Sequence, residues 1–321
     1  MMPNTPSTCL DLSQKRILLT GGSGFLGKHV MEQLQVLGVK PEQVRIPRSQ
    51  THDLRRLEVC QEVVRGQDLV IHLAAHVGGI GLNQAKPAEL FYDNLIMGSQ
   101  LIHAAHQAGV EKFVCVGTIC AYPKFTPVPF KEEDLWNGYP EETNAPYGVA
   151  KKALLVQLQA YRQQYGFNGI YLLPVNLYGP MDNFDPASSH VIPALIRKVH
   201  EAQVQGQDHL YVWGDGSPTR EFFYAEDAAR GIVMASQLYN GADPLNLGTG
   251  EEISIRDLIT LICELMKFQG EIRWQTDKPN GQPRRCLDVS KAREAMGFEA
   301  KVSLREGLQR TIDWYRQHSG Y

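Results

Sequence analysis

The sequence predicts an α/β fold in which a doubly wound parallel sheet is joined to a smaller α+β unit. Over the first half of the chain, short apolar runs alternate with segments of helical periodicity, which is typical of βαβ units. The alternation stops after Asn176, where loops rich in Pro, Asp and Asn lead into a helix over 190–203. A chain of 321 residues is long enough to form both units.

The first strand and the loop after it predict a nucleotide site. The apolar run Lys15–Thr20 leads directly into Gly21, Gly24 and Gly27, and a helical segment follows over 28–37. Glycines at this spacing allow a tight turn and a close approach of the backbone to a pyrophosphate, and the free N–H groups of the helix N-terminus favour an anion. We therefore expect a Rossmann-type dinucleotide-binding domain.

The second predicted strand begins at Val44 and ends near two arginines. NAD-selective domains place an acid here to bind the ribose 2′-hydroxyl, but this chain has Arg45 and Arg48 and no acid before Asp53. A guanidinium suits the 2′-phosphate of NADP, and a solvated loop arginine is the alternative. Asp53 and Leu54 are expected to contact the adenine ring.

Two further strands deliver small and polar residues to one edge of the sheet. The run 67–75 ends in Ala74 and Ala75, where a ligand can approach the backbone, and His72 within it is expected to be a core residue. A helix over 91–108 precedes the strand 112–117, which ends just before Thr118 and Cys120. Open α/β sheets bind their ligands at this carboxyl edge.

Tyr147 and Lys151 form the main candidate pair for catalysis. They are four residues apart, so both side chains leave the same face of a helix. We expect the ammonium to lower the phenol pKa from its usual value of about 10 and so to make Tyr147 a proton donor to a carbonyl oxygen. A helix carrying an aromatic residue and a surface lysine is the alternative.

The organisation of the whole chain follows from these segments. Residues 1–14 are expected to be a disordered leader. We assign 15–176 and about 222–250 to the nucleotide-binding domain, and 177–221 and 251–321 to a substrate-binding domain. Amphipathic helices are predicted over 253–266 and 304–315.

Composition limits the partners and the compartment. The formal charge of −3 does not favour nucleic acid, and no apolar run reaches the roughly 18 residues that cross a membrane. The six cysteines show no C-x-x-C spacing, so we expect free thiols in the cytoplasm and no metal site.

The glycine loop, Asp68-Leu-Val-Ile-His-Leu-Ala-Ala75, the hydroxyl of Thr118 and Tyr147-x-x-x-Lys151 together resemble the extended short-chain dehydrogenases/reductases. Within that family, further stretches are similar to the GDP-L-fucose synthase group: Val77-Gly-Gly-Ile80, Ile102-His-Ala-Ala-His106, Cys120-Ala-Tyr-Pro-Lys124, Asn176-Leu-Tyr-Gly-Pro180, Ser189-His-Val-Ile-Pro-Ala-Leu195, Val212-Trp-Gly214, Arg220-Glu-Phe222, Asn246-Leu-Gly-Thr-Gly250 and Lys278-Pro-Asn-Gly-Gln-Pro-Arg284.

The resemblance implies an activity and the residues that carry it. The substrate would be GDP-4-keto-6-deoxy-D-mannose, inverted at C3 and C5 and then reduced at C4 by NADPH to GDP-L-fucose, in a homodimer. The implied catalytic residues are Tyr147, Lys151, Thr118, Cys120 as base and His190 as acid. The implied NADP contacts are Gly21, Gly24, Phe25, Leu26, Gly27, Arg48, Asp53, Leu54, Ala74, Ala75, Lys151, Pro174, Asn176, Leu177 and His190, and the implied contacts of GDP and the sugar are Arg197, Trp213, Arg220 and Lys278.

This chain departs from the family pattern at two places. Thr118 stands where serine is usual, which keeps the hydroxyl but adds a methyl group and a stiffer χ1. Ser23 and Phe25 occupy a loop that carries an NADP-binding arginine in some relatives, which leaves more of the 2′-phosphate recognition to Arg48. The alternatives are a nucleotide-sugar 4-epimerase or 4,6-dehydratase with tightly bound NAD, and a non-catalytic NADP sensor.

Overall fold

The computed structural model describes residues 9–186, 188–278 and 282–319. The strands in this part are β1 (Ile17–Thr20), β2 (Val44–Arg45), β3 (Leu69–His72), β4 (Lys112–Val116), β5 (Gly169–Pro174), β6 (Asn176–Tyr178), β7 (His209–Trp213), β8 (Thr219–Arg220), β9 (Phe222–Tyr224), β10 (Leu245–Leu247), β11 (Ile253–Ser254), β12 (Glu271–Gln275) and β13 (Arg284–Arg285). The helices are α1 (Phe25–Val36), α2 (Leu57–Val63), α3 (Ile80–Ala85), α4 (Pro87–Gln107), α5 (Ala145–Tyr165), α6 (Val191–Val204), α7 (Ala225–Leu238), α8 (Ile255–Met266), α9 (Ser290–Met296) and α10 (Leu304–His318).

The main sheet has six parallel strands in the order β10-β5-β4-β3-β1-β2. The strand order reverses direction between β1 and β3, which is the doubly wound arrangement, so the predicted fold class is confirmed. Every residue of β1, β3, β4 and β5 is buried, because helices cover both faces of a parallel sheet. The carboxyl ends of the strands therefore meet at one edge of a rigid, dry core.

The helices form two layers around this sheet. On one side α1 packs against α7, and on the other α4 packs against α2 and α5. Gly98 in α4 is needed for the close approach of α5, because a Cβ there would overlap the side chain of Leu154. The layer containing α5 thereby fixes the position of Tyr147 and Lys151.

A second hydrophobic cluster lies under shorter strands and three later helices. Ile192 and Ile196 of α6, Ile259 of α8 and Ile312 of α10 are buried in it. The strands pair as β12 with β7, β6 with β9, and β8 between β11 and β13. The helices predicted over 253–266 and 304–315 are observed as α8 and α10. Unlike the predicted division, Leu287 and Phe298 pack on the first cluster.

The N-terminal segment differs from the prediction of a disordered leader. Leu12 is buried against the first cluster, and the Leu10 N–H donates to the Gln237 carbonyl at 3.1 Å. Residues 9–14 are therefore ordered by apolar contact, and the rest of the predicted leader, 1–8, lies outside the described residues. Within the described ranges no helix has both the length and the apolar character to cross a bilayer.

Candidate active site

The glycine loop connects β1 to α1 through close backbone contacts. Gly21 has φ of 72°, which favours glycine, and the Gly24 N–H donates to the Gly21 carbonyl at 2.9 Å. A Cβ at Gly27 would overlap the Gly21 carbonyl oxygen. The helix begins at Phe25, three residues before the predicted start, because Gly24 already serves as its N-cap. The first turn of α1, with Phe25 and Leu26, thus offers free N–H groups beside the loop.

The two candidate arginines after β2 have different surroundings. Arg45 is held by Glu62, with its guanidinium donating to the carboxylate at 2.8 Å and to the Glu62 carbonyl at 2.9 Å. Arg48 is exposed, and its side chain makes no hydrogen bond or ion pair to a described residue. Arg48 is therefore the guanidinium that is available to a ligand.

Asp53 and Leu54 are less open than expected for an adenine contact. The Asp53 carboxylate accepts from Arg55 Nε at 2.9 Å, and this hydrogen bond holds the pKa of Asp53 below its usual value. The Leu54 side chain is buried in the first cluster. Their contact with adenine stays a prediction.

The end of β3 lies against the glycine loop. A Cβ at Gly21 would stand 2.9 Å from the Ala74 nitrogen, so the two segments touch backbone to backbone, and Ala75 is half-buried beside them. His72 is fully buried and shares a 2.8 Å hydrogen bond with the Thr20 hydroxyl. Burial first, and then the charge of Lys151, lowers the pKa of His72 to about 3. His72 is thus the neutral core residue that the sequence predicts.

Thr118, Cys120, Tyr147 and Lys151 come together at the carboxyl edge of the sheet. Thr118 caps a short 3₁₀ turn, Ile119–Ala121, and its hydroxyl oxygen accepts from the Cys120 N–H at 3.2 Å. The same hydroxyl is hydrogen-bonded to the Tyr147 phenol. Gly148 allows α5 to pack directly on this turn, since a Cβ there would overlap the Cys120 carbonyl. The predicted meeting of the β4 edge with the tyrosine helix is observed.

The backbone of Lys151 is tied to β5 through Tyr171. Lys151 is buried with 2% exposure, and its backbone carbonyl accepts from the Tyr171 hydroxyl at 2.8 Å. Gly117 lies on the Tyr171 ring, where a Cβ would overlap the phenol carbon. The helix, the strand and the loop are therefore locked to one another by backbone contacts that a larger residue would break.

The electrostatics of this cluster correct one expectation. Burial, and secondly the charge of Cys120, raises the pKa of Tyr147, and the hydrogen bond from Thr118 only partly opposes this. Burial also lowers the pKa of Lys151. The predicted lowering of the phenol pKa by the ammonium is wrong for this structure, because the cost of desolvating the phenolate is larger than the attraction. Tyr147 is therefore protonated at neutral pH and can donate a proton.

His190 is the N-cap of α6, and the loop before it reaches across to the end of β3. The Gly79 N–H donates to the Ser188 carbonyl at 3.3 Å, so this loop is tied to the cofactor half of the chain. His190 keeps an exposed surface, and desolvation by the protein atoms around its ring lowers its pKa. Pro174, Asn176 and Leu177 lie on β5 and β6, and the Asn176 amide donates to the Glu221 carbonyl at 2.9 Å.

The residues predicted to bind GDP differ in their burial and in their charged neighbours. Arg220 on β8 is half-buried, and burial, followed by the nearby charge of Arg285, lowers its pKa to about 10. Trp213 ends β7 with 61% of its surface exposed. Lys278 is exposed and lies 3.6 Å from the carboxylate of Asp277. Arg220 and Trp213 remain open to a ligand.

Comparison with known proteins identifies the family. Residues 17–248 match the model of the NAD dependent epimerase/dehydratase family. The chain belongs to this family. It is 40% identical to GDP-L-fucose synthase 1 of Arabidopsis thaliana, over 96% of this chain and 95% of the relative. It is 35% identical to the GDP-L-fucose synthase of Escherichia coli strain K12, over 96% and 98%.

A solved structure of this epimerase/dehydratase family agrees with the fold. The GDP-L-fucose synthetase of Naegleria fowleri bound to NADP superposes with a TM-score of 0.87 at 26% identity, covering 99% of this chain and 98% of that one. The resemblance to the extended short-chain dehydrogenases/reductases, and within them to the GDP-L-fucose synthase group, is confirmed.

Two residues near the site do not stand out in the sequence, and one predicted residue is engaged elsewhere. Arg197 donates to Glu201 at 2.6 Å and to the Phe184 carbonyl at 3.1 Å, so its contacts lie within the protein. Its neighbour Lys198 lies 6.0 Å from the centre of the Trp213 ring. The other missed residue is Arg285, whose guanidinium lies 3.8 Å from the Cys120 sulfur. These two positions are found only from contacts between segments that are distant in sequence, Lys198 with Trp213 and Arg285 with Cys120.

Proposed function

We propose that the chain is a bifunctional, NADPH-dependent epimerase and reductase that converts GDP-4-keto-6-deoxy-D-mannose to GDP-L-fucose. The observation that carries the proposal is the cluster of a thiol, a hydroxyl and a protonated phenol, Cys120, Thr118 and Tyr147, at the carboxyl edge of a nucleotide-binding sheet. The identity of 40% to a GDP-L-fucose synthase over nearly the whole chain supports the substrate class.

The first stage inverts C3 and C5. The C4 ketone acidifies the hydrogens on both neighbouring carbons, so a base on one face and an acid on the other can invert each centre through an enolate. In the proposal, Cys120 removes the proton and His190 returns one from the opposite face. The hydroxyls of Thr118 and Tyr147 stabilise the oxyanion that develops at O4.

The second stage reduces C4. Bound NADPH would supply the hydride for C4, and Tyr147 donates its proton to O4. The raised pKa keeps the phenol protonated until the alkoxide forms, and the buried Lys151 stabilises the phenolate that remains. The hydroxyl groups around O4 would thus act in both stages.

The cofactor is NADPH, held by the glycine loop and by Arg48. The loop and the start of α1 receive the pyrophosphate, and the exposed, unpaired Arg48 receives the 2′-phosphate. The remaining predicted contacts come from the ends of β3 and β5. Arg220 and Trp213 bind GDP and the sugar, with Lys198 in the role that the resemblance implies for Arg197. The enzyme acts in the cytoplasm as a homodimer.

The deciding experiment compares substrates. NADPH absorbance should decay when the enzyme receives the 4-keto-6-deoxy sugar on GDP and should stay constant with the same sugar on UDP. Tightly bound NAD and turnover of a UDP-hexose would instead establish the 4-epimerase alternative, and binding of NADP without any turnover would establish the sensor.

The two stages separate in the Cys120→Ser variant. It should lose the exchange of the C3 and C5 hydrogens with deuterated solvent, yet retain slow oxidation of NADPH by the uninverted ketone. Exchange at the wild-type rate in this variant contradicts the assignment of Cys120 as base.

A further inference from the structure

We propose that Arg285 is the positioning residue for the base of the epimerisation: its guanidinium faces the Cys120 sulfur and stabilises the thiolate. This inference rests on the proposed function for its catalytic meaning, but the contact itself does not. Arg285 donates from a terminal guanidinium nitrogen to the Cys120 sulfur across 3.8 Å.

The register of two short strands directs Arg285 to this place. β13 runs parallel to β8, and Arg285 lies opposite Arg220. Since successive side chains of a strand point to opposite faces, Arg284 must point away from the face that Arg285 occupies. Arg284 is exposed and donates to Glu252 at 3.0 Å, whereas Arg285 is half-buried and reaches Cys120. The pair of adjacent arginines therefore divides into a surface residue and a site residue.

A neighbouring amide fixes the orientation of the Arg285 guanidinium. Arg285 Nε donates to the Gln282 side-chain oxygen at 2.7 Å. The Gln282 nitrogen in turn donates to the Lys124 backbone carbonyl at 2.7 Å, which is four residues after Cys120 in the chain. The planar guanidinium is thus held at one edge and presents its other end to the sulfur, an arrangement that a flexible ammonium does not reproduce.

The charge of Arg285 has no carboxylate partner among the described residues. Its side chain contacts Gln282 and Cys120, and the adjacent Arg220 donates only to the Thr219 carbonyl. The acid that follows Arg220 in the chain, Glu221, is already engaged: its oxygens accept from the backbone N–H groups of Thr249, Gly250 and Leu287. Two guanidiniums close together without an acid favour an anion, and the Cys120 sulfur is the group in contact that can become one.

The consequence for the reaction is a larger fraction of reactive base at neutral pH. The thiolate is the form that removes a proton: the C–H bond beside the ketone breaks, an S–H bond forms, and the electron pair moves to the carbonyl oxygen. An opposite charge in contact with a thiol favours its ionised form. The guanidinium of Arg285 only donates hydrogen bonds and takes no part in the proton transfer itself, so it acts only through Cys120.

The test measures the thiolate directly, without substrate. In a Cys9→Ser background, which removes the exposed thiol, the rate of iodoacetamide labelling at position 120 is followed against pH by peptide mass spectrometry. The midpoint of this profile should rise by about one pH unit or more in Arg285→Met, and Arg285→Lys should recover part of the shift. Arg284→Met, which alters the neighbouring surface arginine, should leave the midpoint in place. Coincident midpoints in the wild type and Arg285→Met overturn the proposal.

A second measurement connects the contact to the reaction. Solvent-deuterium exchange into the GDP-linked ketone should slow about tenfold in Arg285→Met at neutral pH and recover as the pH rises by one or two units. A loss that is equal at every pH, or a tenfold weaker affinity for GDP with an unchanged labelling profile, means that Arg285 supports folding or the diphosphate and overturns the inference.

The two proposals fail in distinguishable ways. If the wild type exchanges no deuterium into the ketone but the labelling midpoint moves with Arg285, the proposed function fails and the contact stands. If exchange proceeds in the wild type and the midpoint does not move, the function stands and the role of Arg285 fails.

Discussion

The two sides of the candidate site are built in different ways. The cofactor side consists of Thr118, Tyr147 and Lys151, which lie at the end of a central strand and on a 21-residue helix. The sugar side consists of Trp213, Arg220 and Arg285, which lie on strands of two to five residues in sheets of only two or three strands. The residues proposed to act on O4 therefore lie on the part of the molecule with the longest elements and the least exposed side chains.

The contrast extends to charge. On the cofactor side, burial dominates and favours neutral forms, since it raises the pKa of Tyr147 and lowers that of Lys151. On the sugar side, Arg220 and Arg285 lie together with no carboxylate partner among the described residues, Lys198 is half-buried, and Trp213 is exposed. The first side is suited to hold a proton until it is needed, and the second side to attract a diphosphate.

The largest effect should come from the phenol on the cofactor side. Tyr147→Phe removes only the hydroxyl, and we expect kcat for NADPH oxidation to fall about a thousandfold, since a positioned general acid contributes about 10²–10⁴. The affinity for NADPH and the melting temperature should stay close to the wild type, because the ring still fills its space.

Tyr165→Phe serves as the matched control for that variant. It removes an exposed phenol at the far end of the same helix and should leave kcat unchanged. A Tyr147→Phe enzyme within tenfold of the wild type means that another group protonates O4.

The same contrast explains which residues the sequence can predict. Thr118, Tyr147 and Lys151 are placed by one strand and one helix whose patterns are local, so the amino-acid pattern is enough to bring them together. Sequence reasoning does not find Arg285 because β13 and β8 are two residues long, and their pairing joins segments that lie 65 residues apart in the register Arg285↔Arg220. It does not find Lys198 because that position is revealed only by the contact of α6 with Trp213 at the end of β7. Tyr147 itself shows the limit of local reasoning: the spacing reveals the neighbour at 151, but it does not reveal the burial that outweighs the charge of that neighbour.

The second effect concerns the junction between the two sides. The buried Glu221 follows Arg220 and accepts from the N–H groups of Thr249, Gly250 and Leu287. Glu221→Ala leaves three backbone donors without their acceptor, and that of Leu287 is buried. A buried donor without a partner costs about 1–3 kcal/mol, so we expect a loss of about 3 kcal/mol in unfolding free energy.

Urea denaturation measures this loss. Glu251→Ala is the matched control, because that residue is exposed in the same loop and should change the unfolding free energy by less than about 0.5 kcal/mol. If both variants unfold at the same urea concentration, Glu221 does not hold the sugar side to the sheet.

The third prediction tests the burial of His72, on the cofactor side, through the pH dependence of the unfolding free energy. His72 has a pKa lowered to about 3 in the folded chain against its ordinary 6.5. The unfolded chain therefore binds a proton below about pH 6.5 while the folded chain does not, and stability falls as the pH drops toward 3. Between about pH 7 and pH 5 this one group removes about 2 kcal/mol of unfolding free energy.

The measurement is the difference between variants. His72→Gln keeps a polar group near Thr20 but does not titrate, so its stability should fall less over that pH interval than the wild type does. His318→Gln, at an exposed position on α10, should follow the wild-type curve. Parallel curves for the wild type and His72→Gln contradict the assignment of a neutral core histidine.

The smallest effect should come from the exposed rim of the cofactor side. Arg48→Met removes the unpaired guanidinium proposed for the 2′-phosphate, and we expect KM for NADPH to rise about tenfold, which corresponds to about 1.4 kcal/mol, while KM for NADH stays the same. Arg45→Met is the control, because Arg45 is already bonded to Glu62 and should change KM for NADPH by less than about twofold. An exposed charge is screened by salt, so the effect of Arg48→Met should shrink as the ionic strength rises. If the two variants lose NADPH affinity equally, both arginines act through the general positive field of this loop. The ion pair of Arg45 with Glu62 then makes no difference to cofactor binding.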